Sequence, residues 1–595
     1  MPRRPLTSVP WGRHASLTAQ TVAEHAVDDP LLLVLQGSRR LPAAVRTPAA
    51  RLIGALGRGM ATLAPARGAG SVVSAVSEHM LGRTPRALER LDGPAAGGLV
   101  GRADASVLLG DDAQAQRLLE RVPEDRRGAP WHAVAARLAL HRGDLDGAVA
   151  YAGRHRINRA LHRRMAGERA AFTGHRPSLP ATPDYAPLPG RVLHVLTNSL
   201  PHTTSGYAQR SHSTLTALDA EGVQVRAVTR PGYPTVVGVP WARDEDRIGQ
   251  IVYRRLLPHR LGQGTAARID QHARLLAAEV ERFRPEALHT TTHFVNAVAV
   301  RAVAEAYGIP WVYEVRGQLA DTWASKRTAS ALSSQRYAAF VAAEAEAACS
   351  ADAVVTLGAT MARRLVEAGV SEDRITVCPN AVGEAFLDEP PARVHARARL
   401  GLDPEHVYVG TVSSIVGYEG LDDLLRAVAL IAPRFPRLRV SIAGDGVSLP
   451  GLRALAEELG IAHLCRFPGR IARPEAVWEQ ASLDVFVVPR KDLPVTRAVT
   501  PMKSIEASAF ARPVVASDLP ALAELVEDGV TGRLAPAQDP RALAEVLAEL
   551  VADPELRARL GEAGRAWALS TRTWAANARR YAQVYRELGV RLPRT

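Results

Sequence analysis

One segment of the chain places a turn, a lysine and a carboxylate at a spacing that suits an anionic ligand. Thr500 and the proline after it predict a tight turn into a helix that starts near Met502, whose first N–H groups would point at an anion. Lys503 adds a full positive charge, and Glu506, one helical turn later, could accept two hydrogen bonds from a ribose diol. The segment therefore favours a nucleotide-sugar site, with an ordinary helix N-terminus before a core strand as the alternative.

The lysine content of the chain points to the same segment. Only three lysines stand against an arginine-rich background, namely Lys326, Lys491 and Lys503, and two of them flank the turn at Thr500. A compact, mobile ammonium group suits a diphosphate.

The sequence around this segment alternates short apolar runs with amphipathic stretches. From residue 407 to residue 532, buried strands are expected to end in glycine turns and to be followed by helices. This alternation predicts a doubly wound parallel sheet, whose ligands lie at the carboxyl ends of the strands. The donor-side candidates at these ends are Gly410, Ser413, Gly444, Gly446, Arg490, Thr500, Met502, Lys503 and Glu506.

The order of these motifs, with Pro379-Asn-Ala-Val before them and Glu524-Leu-Val-Glu-Asp-Gly after them, resembles family 4 glycosyltransferases of the GT-B fold. The resemblance covers roughly residues 188 to 590. It implies an α/β protein with two Rossmann-like parallel-sheet domains that face a cleft. It also implies retaining transfer of a hexosyl unit from a UDP- or GDP-sugar to a glycan or lipid-linked acceptor, in cell-surface polysaccharide or glycoconjugate synthesis, with no metal and no cofactor. The alternatives are a GT-B sugar-nucleotide epimerase and a non-catalytic scaffold.

Two positions depart from the commonest form of that family. It has two glutamates with seven residues between them, but the position eight before Glu506 is Ala498. The basic residue often found before the glycine of the following helix is here Glu419. Both features resemble a subgroup associated with bacterial surface polysaccharides, in which the diphosphate charge would fall to Arg490, Lys491 or Lys503. An inactive site is the alternative.

The catalytic and acceptor-side candidates also follow from the resemblance. A histidine near the end of a strand in the first domain would contact the transferred sugar, and motif alignment favours His289 over His293, with a purely structural histidine left open. The catalytic candidates are therefore His289, Lys503 and Arg490. The acceptor-side candidates are Gly206, Arg210, His293, Glu314 and Arg316; Arg210 would meet a phosphate or remain a surface residue. Glu314 and Arg316 share one face of a strand, so both could reach the cleft or pair with each other.

Composition divides the chain into parts. Residues 1–190 hold 26 arginines and no lysine against 16 acidic residues, a net charge of +10 out of +13 for all 595 residues. Turns at Gly110 and Gly143, about 33 residues apart, predict tetratricopeptide-like helical hairpins, and a proline-rich linker follows from Pro177 to Pro189. We expect a helical basic region at 1–185, an acceptor domain at 186–388, a nucleotide-sugar domain at 389–572 and a final helix at 573–595. The first region is expected to be dispensable for donor binding.

The predicted partners and location follow from charge and cysteine content. The basic N-terminal region, including the apolar stretch 51–63, could bind an anionic membrane surface or a protein partner, or simply reflect an arginine-rich coding background. The scarcity of aromatic residues argues against nucleic acid as a partner. Three cysteines and the lack of a membrane-length apolar run favour the cytoplasm, with peripheral association at the inner membrane face.

An apolar stripe near the C-terminus predicts a helix, and the resemblance to the GT-B fold implies that this helix crosses back to the first catalytic domain. Its members recur at steps of three and four, and they are Trp574, Ala578, Tyr581, Tyr585 and Leu588.

Overall fold

The N-terminal region of the chain is helical. The computed structural model describes residues 11–28, 48, 50–57, 69–81, 83–93, 98–325 and 327–593. Residues 50–57 are helical. The other helices before the first strand are α1 (Trp11–Asp28), α2 (Ala69–Met80), α3 (Thr84–Leu91), α4 (Leu99–Leu109), α5 (Asp112–Glu120), α6 (Ala129–Arg142), α7 (Leu145–Gly153) and α8 (Arg159–Phe172). The second half of the predicted surface stretch, 58–63, and Lys326 lie outside the described residues.

Two glycine–aspartate turns explain the spacing of about 33 residues in this region. Gly110 and Gly143 end α4 and α6 in the left-handed conformation, with φ of 84° and 86°. The aspartate after each glycine, Asp111 or Asp144, caps the next helix by accepting a backbone N–H hydrogen bond of 2.8 Å. Each turn therefore joins a helical hairpin, α4 with α5 and α6 with α7.

The first catalytic domain is built on an eight-stranded sheet. Its strand order is β3-β4-β2-β1-β5-β6-β7-β8, and every pair is parallel except β3 with β4. The strands are β1 (Arg191–Leu196), β2 (Gln224–Thr229), β3 (Glu245–Ile248), β4 (Ile251–Arg255), β5 (Ala287–Thr291), β6 (Trp311–Val315), β7 (Ala353–Thr356) and β8 (Ile375–Val377). The helices between them are α9 (Gly206–Ala220), α10 (Thr265–Phe283), α11 (Phe294–Tyr307), α12 (Leu319–Ala324), α13 (Gln335–Ser350) and α14 (Ala359–Glu367).

The second catalytic domain is built on a six-stranded parallel sheet of order β11-β10-β9-β12-β13-β14. Its strands are β9 (Val407–Val412), β10 (Leu438–Ala443), β11 (Cys465–Gly469), β12 (Val485–Val488), β13 (Val514–Ser517) and β14 (Gly532–Ala535). Its helices are α15 (Arg393–Leu400), α16 (Leu421–Ile431), α17 (Leu449–Glu458), α18 (Arg473–Ser482), α19 (Pro494–Ala498), α20 (Met502–Ala509), α21 (Pro520–Ala523), α22 (Pro540–Ala552) and α23 (Pro554–Thr571).

The central strands of both sheets are buried on both faces. All residues of β5, β6, β12 and β13 are buried, since helices cover a parallel sheet on each side. Two parallel-sheet domains preceded by a helical region confirm the predicted fold class. Among the helices of the described residues, none has the length and apolar character needed to cross a bilayer.

The helical N-terminal region is docked on the first catalytic domain. The ring of Phe172 in α8 lies 5.1 Å from that of Phe294 and 5.2 Å from that of Phe340, and all three belong to one core. The proline-rich segment also lies on this domain, because the backbone N–H of Thr182 donates to the carbonyl of Ala306 over 2.7 Å. Removing residues 1–185 would therefore uncover apolar surface, and their dispensability for donor binding stays a prediction.

We expect Phe172→Ala to lower the free energy of unfolding of the first catalytic domain by about 3–5 kcal/mol, because it leaves a cavity against Phe294 and Phe340. Urea unfolding followed by circular dichroism would measure the change. Ile157→Ala is the control, since Ile157 belongs to the same region and is 80% exposed. Equal stability of the two variants would contradict the docked arrangement.

The last helix, α24 (Trp574–Glu587), follows the second catalytic domain in sequence but packs on the first. Tyr581 and Tyr585 are fully buried in a cluster that contains Val192 of β1, Ala287 of β5 and Val312 of β6. The backbone N–H of Val382 donates to the carbonyl of Arg572 over 2.9 Å, so the two connections between the domains run side by side.

Candidate functional site

Two buried cations meet at one carboxylate at the carboxyl edge of the second sheet. Arg490 follows β12, and its Nη2 and Nε atoms lie 3.2 and 3.3 Å from the carboxylate oxygens of Glu419. The Nζ atom of Lys503, in the first turn of α20, donates to the same carboxylate. Glu419, Arg490 and Lys503 are only 5%, 7% and 9% exposed. The structure therefore brings together two of the predicted catalytic residues and adds an acidic partner between them.

The charges of this cluster depend on one another. Burial opposes ionisation of Glu419, but Lys503 and Arg490 outweigh it and lower the pKa of the carboxyl to about 2. Burial lowers the pKa of Lys503, Glu419 raises it, and Arg490 lowers it further. With Glu419 and both bases ionised, the cluster carries a net charge of +1.

The backbone fixes Glu419 in this place. Gly420, the next residue, adopts a left-handed conformation with φ of 67°. A Cβ atom on Gly420 would lie 1.7 Å from the carbonyl oxygen of Pro489, so only glycine lets the two turns approach. The N–H of Lys491 also donates to the carbonyl of Tyr418 over 3.0 Å. The Tyr418-Glu-Gly turn is therefore pressed against the end of β12.

The start of α20 lies beside this cluster. Thr500 is buried, and its carbonyl accepts a hydrogen bond of 2.8 Å from Asn380, which belongs to the connection between the domains. Met502 is the first residue of α20, and Glu506 lies one turn later, where its carboxylate accepts a hydrogen bond of 3.2 Å from Gln480. The helix thus begins at the predicted residue, with Glu506 one turn after its N-terminus.

The predicted glycine turns form the neighbouring edge of the sheet, with one correction. Gly444 and Gly446 lie in the turn after β10 and pack backbone to backbone on the turn that contains Ser413. Gly410 does not lie in a turn. It is buried inside β9 and paired with Ser441 of β10, whose carbonyl would lie 1.9 Å from a Cβ atom there, so Gly410 serves strand packing rather than donor contact.

The position of the missing first glutamate is occupied by a buried alanine. Ala498 is the last residue of α19 and is 2% exposed. Lys491, the other candidate for the diphosphate, is paired with Asp422 at 2.9 Å and Asp423 at 2.7 Å. Asp422 and Asp423 therefore neutralise Lys491. The positive charge available to a diphosphate at the end of β12 comes from Arg490 and Lys503.

Three acceptor-side candidates form a buried ion cluster and do not line the cleft. The Glu314 carboxylate is fully buried and accepts hydrogen bonds from Arg210 (2.8 Å) and Arg316 (2.5 Å). It also accepts one from the hydroxyl of Tyr581 in α24, over 2.6 Å. Of the two arrangements left open for Glu314 and Arg316, the structure shows the paired one. Arg210 is buried as well and is neither a phosphate ligand nor a surface residue.

The charge state of Glu314 follows from these contacts. Burial opposes its ionisation, but Arg316 and Arg210 outweigh burial and hold its pKa well below the usual range. A carboxylate so placed connects β6, α9 and α24, which makes it a structural group.

His289 lies too deep to contact a sugar. It is fully buried in the middle of β5, with Nδ1 2.7 Å from the hydroxyl of Tyr585 and its ring stacked on His194 at 4.5 Å. The strand continues for two residues after His289, so the predicted strand end was placed too early. The histidine at the carboxyl end is His293, which is partly exposed and accepts the N–H of Val295 at the start of α11.

The environment of His293 keeps it neutral. Burial lowers its pKa to about 4, and the positive charges of Arg336 and Arg230 act in the same direction. His293 is therefore suited to hydrogen bonding and unsuited to carrying a positive charge at neutral pH.

The prediction from sequence missed one aromatic residue in the cleft. Tyr207 follows Gly206 at the start of α9, and its hydroxyl lies 2.6 Å from the position that a Cβ atom on Gly317 would take. Gly317 follows β6, and a side-chain carbon of Val499 lies 4.0 Å from the same position. Tyr207 is therefore close to both domains. A tyrosine at the start of a helix after a glycine was the only signal for it in the sequence.

Family models match both catalytic domains. Residues 393–567 match the model of glycosyl transferases group 1, and residues 205–381 match the glycosyl transferase 4-like domain. The chain belongs to the family 4 glycosyltransferases. This membership confirms the family and the enzyme class predicted from the motifs. Across the described residues of this glycosyltransferase, no three His, Cys, Asp or Glu side chains are grouped so that they could hold a metal ion.

The glycosyltransferase is similar to two kinds of curated relatives. One is the GDP-mannose-dependent alpha-(1-6)-phosphatidylinositol monomannoside mannosyltransferase of Mycolicibacterium smegmatis, 33% identical over 208 residues that cover 35% of this chain and 54% of the relative. Another is the D-inositol 3-phosphate glycosyltransferase of Thermobispora bispora, 34% identical over 256 residues that cover 41% of this chain and 58% of the relative. The chain thus spans a little over half the length of these relatives.

Solved structures confirm the GT-B fold of the glycosyltransferase. Sucrose-phosphate synthase from Thermosynechococcus elongatus has a TM-score of 0.56 at 21% identity, over 67% of this chain and 99% of the other. The Anabaena protein HepE in complex with UDP has a TM-score of 0.53 at 15% identity, over 67% of this chain and 100% of the other.

Proposed function

We propose that the chain is a retaining glycosyltransferase that moves a hexosyl unit from a nucleoside-diphosphate sugar to a glycan or lipid-linked acceptor. The observation that carries this proposal is the convergence of Arg490 and Lys503 at the start of α20, with Glu506 one turn later. Two cations and a helix N-terminus suit a diphosphate, and a carboxylate at that distance suits the ribose diol.

The chemistry follows from stabilisation of the leaving group. As the glycosidic bond to the diphosphate breaks, negative charge grows on the phosphate oxygens, and Lys503, Arg490 and the N–H groups of α20 stabilise it. These groups supply positive charge that other transferases take from a divalent ion. The acceptor hydroxyl attacks the anomeric carbon from the same face from which the leaving group departs. A phosphate oxygen of the donor takes the proton of that hydroxyl. His293, at the N-terminus of α11 after β5, would orient the sugar.

The choice of donor rests on the relatives. A curated relative is GDP-mannose-dependent by name, and structural neighbours were solved with UDP. We therefore propose a GDP- or UDP-linked hexose, with GDP-mannose as the first donor to test. The +10 charge of residues 1–190 supports action at an anionic membrane surface. We propose that this surface is the cytoplasmic side of the membrane and that the product belongs to surface polysaccharide or glycoconjugate synthesis.

A donor screen tests the proposed function. The purified chain would be incubated with GDP-mannose, UDP-glucose, UDP-galactose and UDP-N-acetylglucosamine, with and without membrane extracts as acceptor source. We expect one donor to raise the melting temperature and to release nucleoside diphosphate faster when acceptor is present. Release of UDP without any sugar transfer would favour the epimerase, and no binding of any donor would favour the scaffold.

We expect Glu506→Gln to weaken donor binding about tenfold or more, because a neutral amide replaces the carboxylate that accepts from the ribose diol. The donor Kd from calorimetry and the donor KM would both rise, with a smaller change in kcat. Glu457→Gln is the control, since Glu457 is exposed on α17 of the same domain. An unchanged donor Kd in Glu506→Gln would remove this residue from the donor site.

A further inference from the structure

Glu419 occupies an unusual place for an acidic residue in a site that is meant to bind an anion. It lies between Arg490 and Lys503, and its carboxylate contacts both. A carboxylate there competes for the cations that the diphosphate needs. Glu419 must therefore either weaken diphosphate binding or contribute to it indirectly.

We propose that Glu419 is a positioning residue that holds the Arg490 guanidinium and the Lys503 ammonium in the orientation and charge state that the leaving diphosphate requires. This inference rests on the proposed function of the site.

The first support is the geometry of Arg490. Two of its nitrogens face the Glu419 carboxylate at 3.2 and 3.3 Å, and Nη1 donates to the carbonyl of Val499 over 2.9 Å. A planar guanidinium whose three nitrogens contact three oxygens, two of the carboxylate and one of the backbone, has little freedom to rotate. Arg490 is therefore preorganised before a donor arrives.

The second support is the rigidity of Glu419 itself. Gly420 cannot move away from Pro489 without breaking the close contact of the two turns, and the hydroxyl of Ser517 donates to the carbonyl of Arg490 over 2.8 Å. The carboxylate and the guanidinium thus belong to turns that are fixed against each other. Such a frame stabilises developing charge without reorganisation during the reaction.

The third support is the electrostatic need of Lys503. It is buried beside a second cation, and burial and a like charge both favour the neutral amine. The titratable groups placed around it are Glu419, Arg490 and, one turn along α20, Glu506. Asp422 and Asp423 are engaged by Lys491. Of these groups, Glu419 is the one in direct contact whose charge raises the pKa of the amine.

The expected consequence concerns pH. Glu419 raises the pKa of Lys503, so replacing it with a neutral residue should let Lys503 lose its proton at lower pH. A neutral amine stabilises the leaving diphosphate far less. Turnover of the variant should therefore decline with rising pH earlier than turnover of the wild type.

The chain offers a direct measurement of this effect because it contains only three lysines. Lysine enriched with carbon-13 at Cε would give three resonances, and the Lys503→Arg variant would assign the one from Lys503. We expect the Lys503 resonance of Glu419→Gln to titrate at least one pH unit below that of the wild type. Glu419→Asp, which keeps the charge, should restore much of the difference.

The kinetic arm measures kcat/KM for the donor from pH 6 to 10. We expect Glu419→Gln to lose about tenfold on the plateau and to have its alkaline limb moved down by about one pH unit, which corresponds to tenfold in an equilibrium. Asp422→Asn is the matched control. The alkaline limb of its kcat/KM profile should lie at the same pH as that of the wild type. An unmoved Lys503 titration in Glu419→Gln overturns the proposal.

The two arms separate this inference from the proposed function. If no donor is turned over by the wild type, the proposed function fails, while the Lys503 titration still decides the role of Glu419. If Glu419→Gln does not fold, the same titration in Glu419→Ala decides it, because that variant also removes the negative charge. A Lys503 resonance that titrates there as in the wild type overturns the proposal.

Discussion

Lys503→Ala should lower kcat for hexosyl transfer by on the order of 10², because one of the two cations that stabilise the leaving diphosphate is lost. A lysine exposed in a cleft would contribute little to stability, but Lys503 is 9% exposed and paired with Glu419. Its loss leaves the Glu419 carboxylate with Arg490 as its remaining charged partner. The variant's thermal unfolding must therefore be measured beside its rate.

The control for this prediction is Lys491→Ala. Lys491 is twelve residues away in sequence and is held by Asp422 and Asp423. Its removal should change kcat much less than the removal of Lys503. Near-normal turnover in a folded Lys503→Ala variant would remove this residue from the mechanism, and equal losses in the two variants would point to a general effect of charge.

Glu314→Ala should lower the free energy of unfolding by about 3–5 kcal/mol, because it leaves the buried guanidinium groups of Arg210 and Arg316 without their carboxylate. It also removes the acceptor of the Tyr581 hydroxyl, so the contact between α24 and the first sheet is weakened at the same time. Urea unfolding of the first catalytic domain, followed by circular dichroism, measures the change.

Glu405→Ala provides the matched control for Glu314→Ala. The Glu405 carboxylate also pairs with an arginine, Arg437, but its side chain is 74% exposed, and such pairs contribute about 0–1 kcal/mol. Because Arg316 and Arg210 keep the pKa of Glu314 far below the usual range, the contribution of Glu314 should persist at neutral pH and be lost only under strongly acidic conditions. A small effect of Glu314→Ala at pH 7 would contradict the structural role given to this cluster.

Local patterns were sufficient to predict the fold class and the helix that begins at Met502, whereas the donor role of that segment stays a prediction. The alternation of buried strands and amphipathic helices depends on neighbours in sequence, and so does the spacing of Thr500, Lys503 and Glu506 along one turn and helix. The stripe in the last helix is likewise a local periodicity.

The errors arose where the decisive partner is distant in sequence. Arg210 meets Glu314 across 104 residues, and no local feature of either residue shows whether its charge faces a cleft or a core. The choice between His289 and His293 depended on where β5 ends, and strand ends are the least certain part of such predictions. Glu419 was recognised only as a departure from the commonest family pattern, because its partners Arg490 and Lys503 are 71 and 84 residues away.

The return of α24 to the first sheet has a consequence for biosynthesis. The first catalytic domain receives part of its interior from residues 574–590, whereas the second domain is contiguous in the chain. During translation the second domain can fold while the final residues are still inside the ribosome. The first domain cannot complete its core at that stage, because Val192, Ala287 and Val312 are not yet covered by the last helix. This exposed apolar surface makes the unfinished chain prone to aggregation until the last helix emerges.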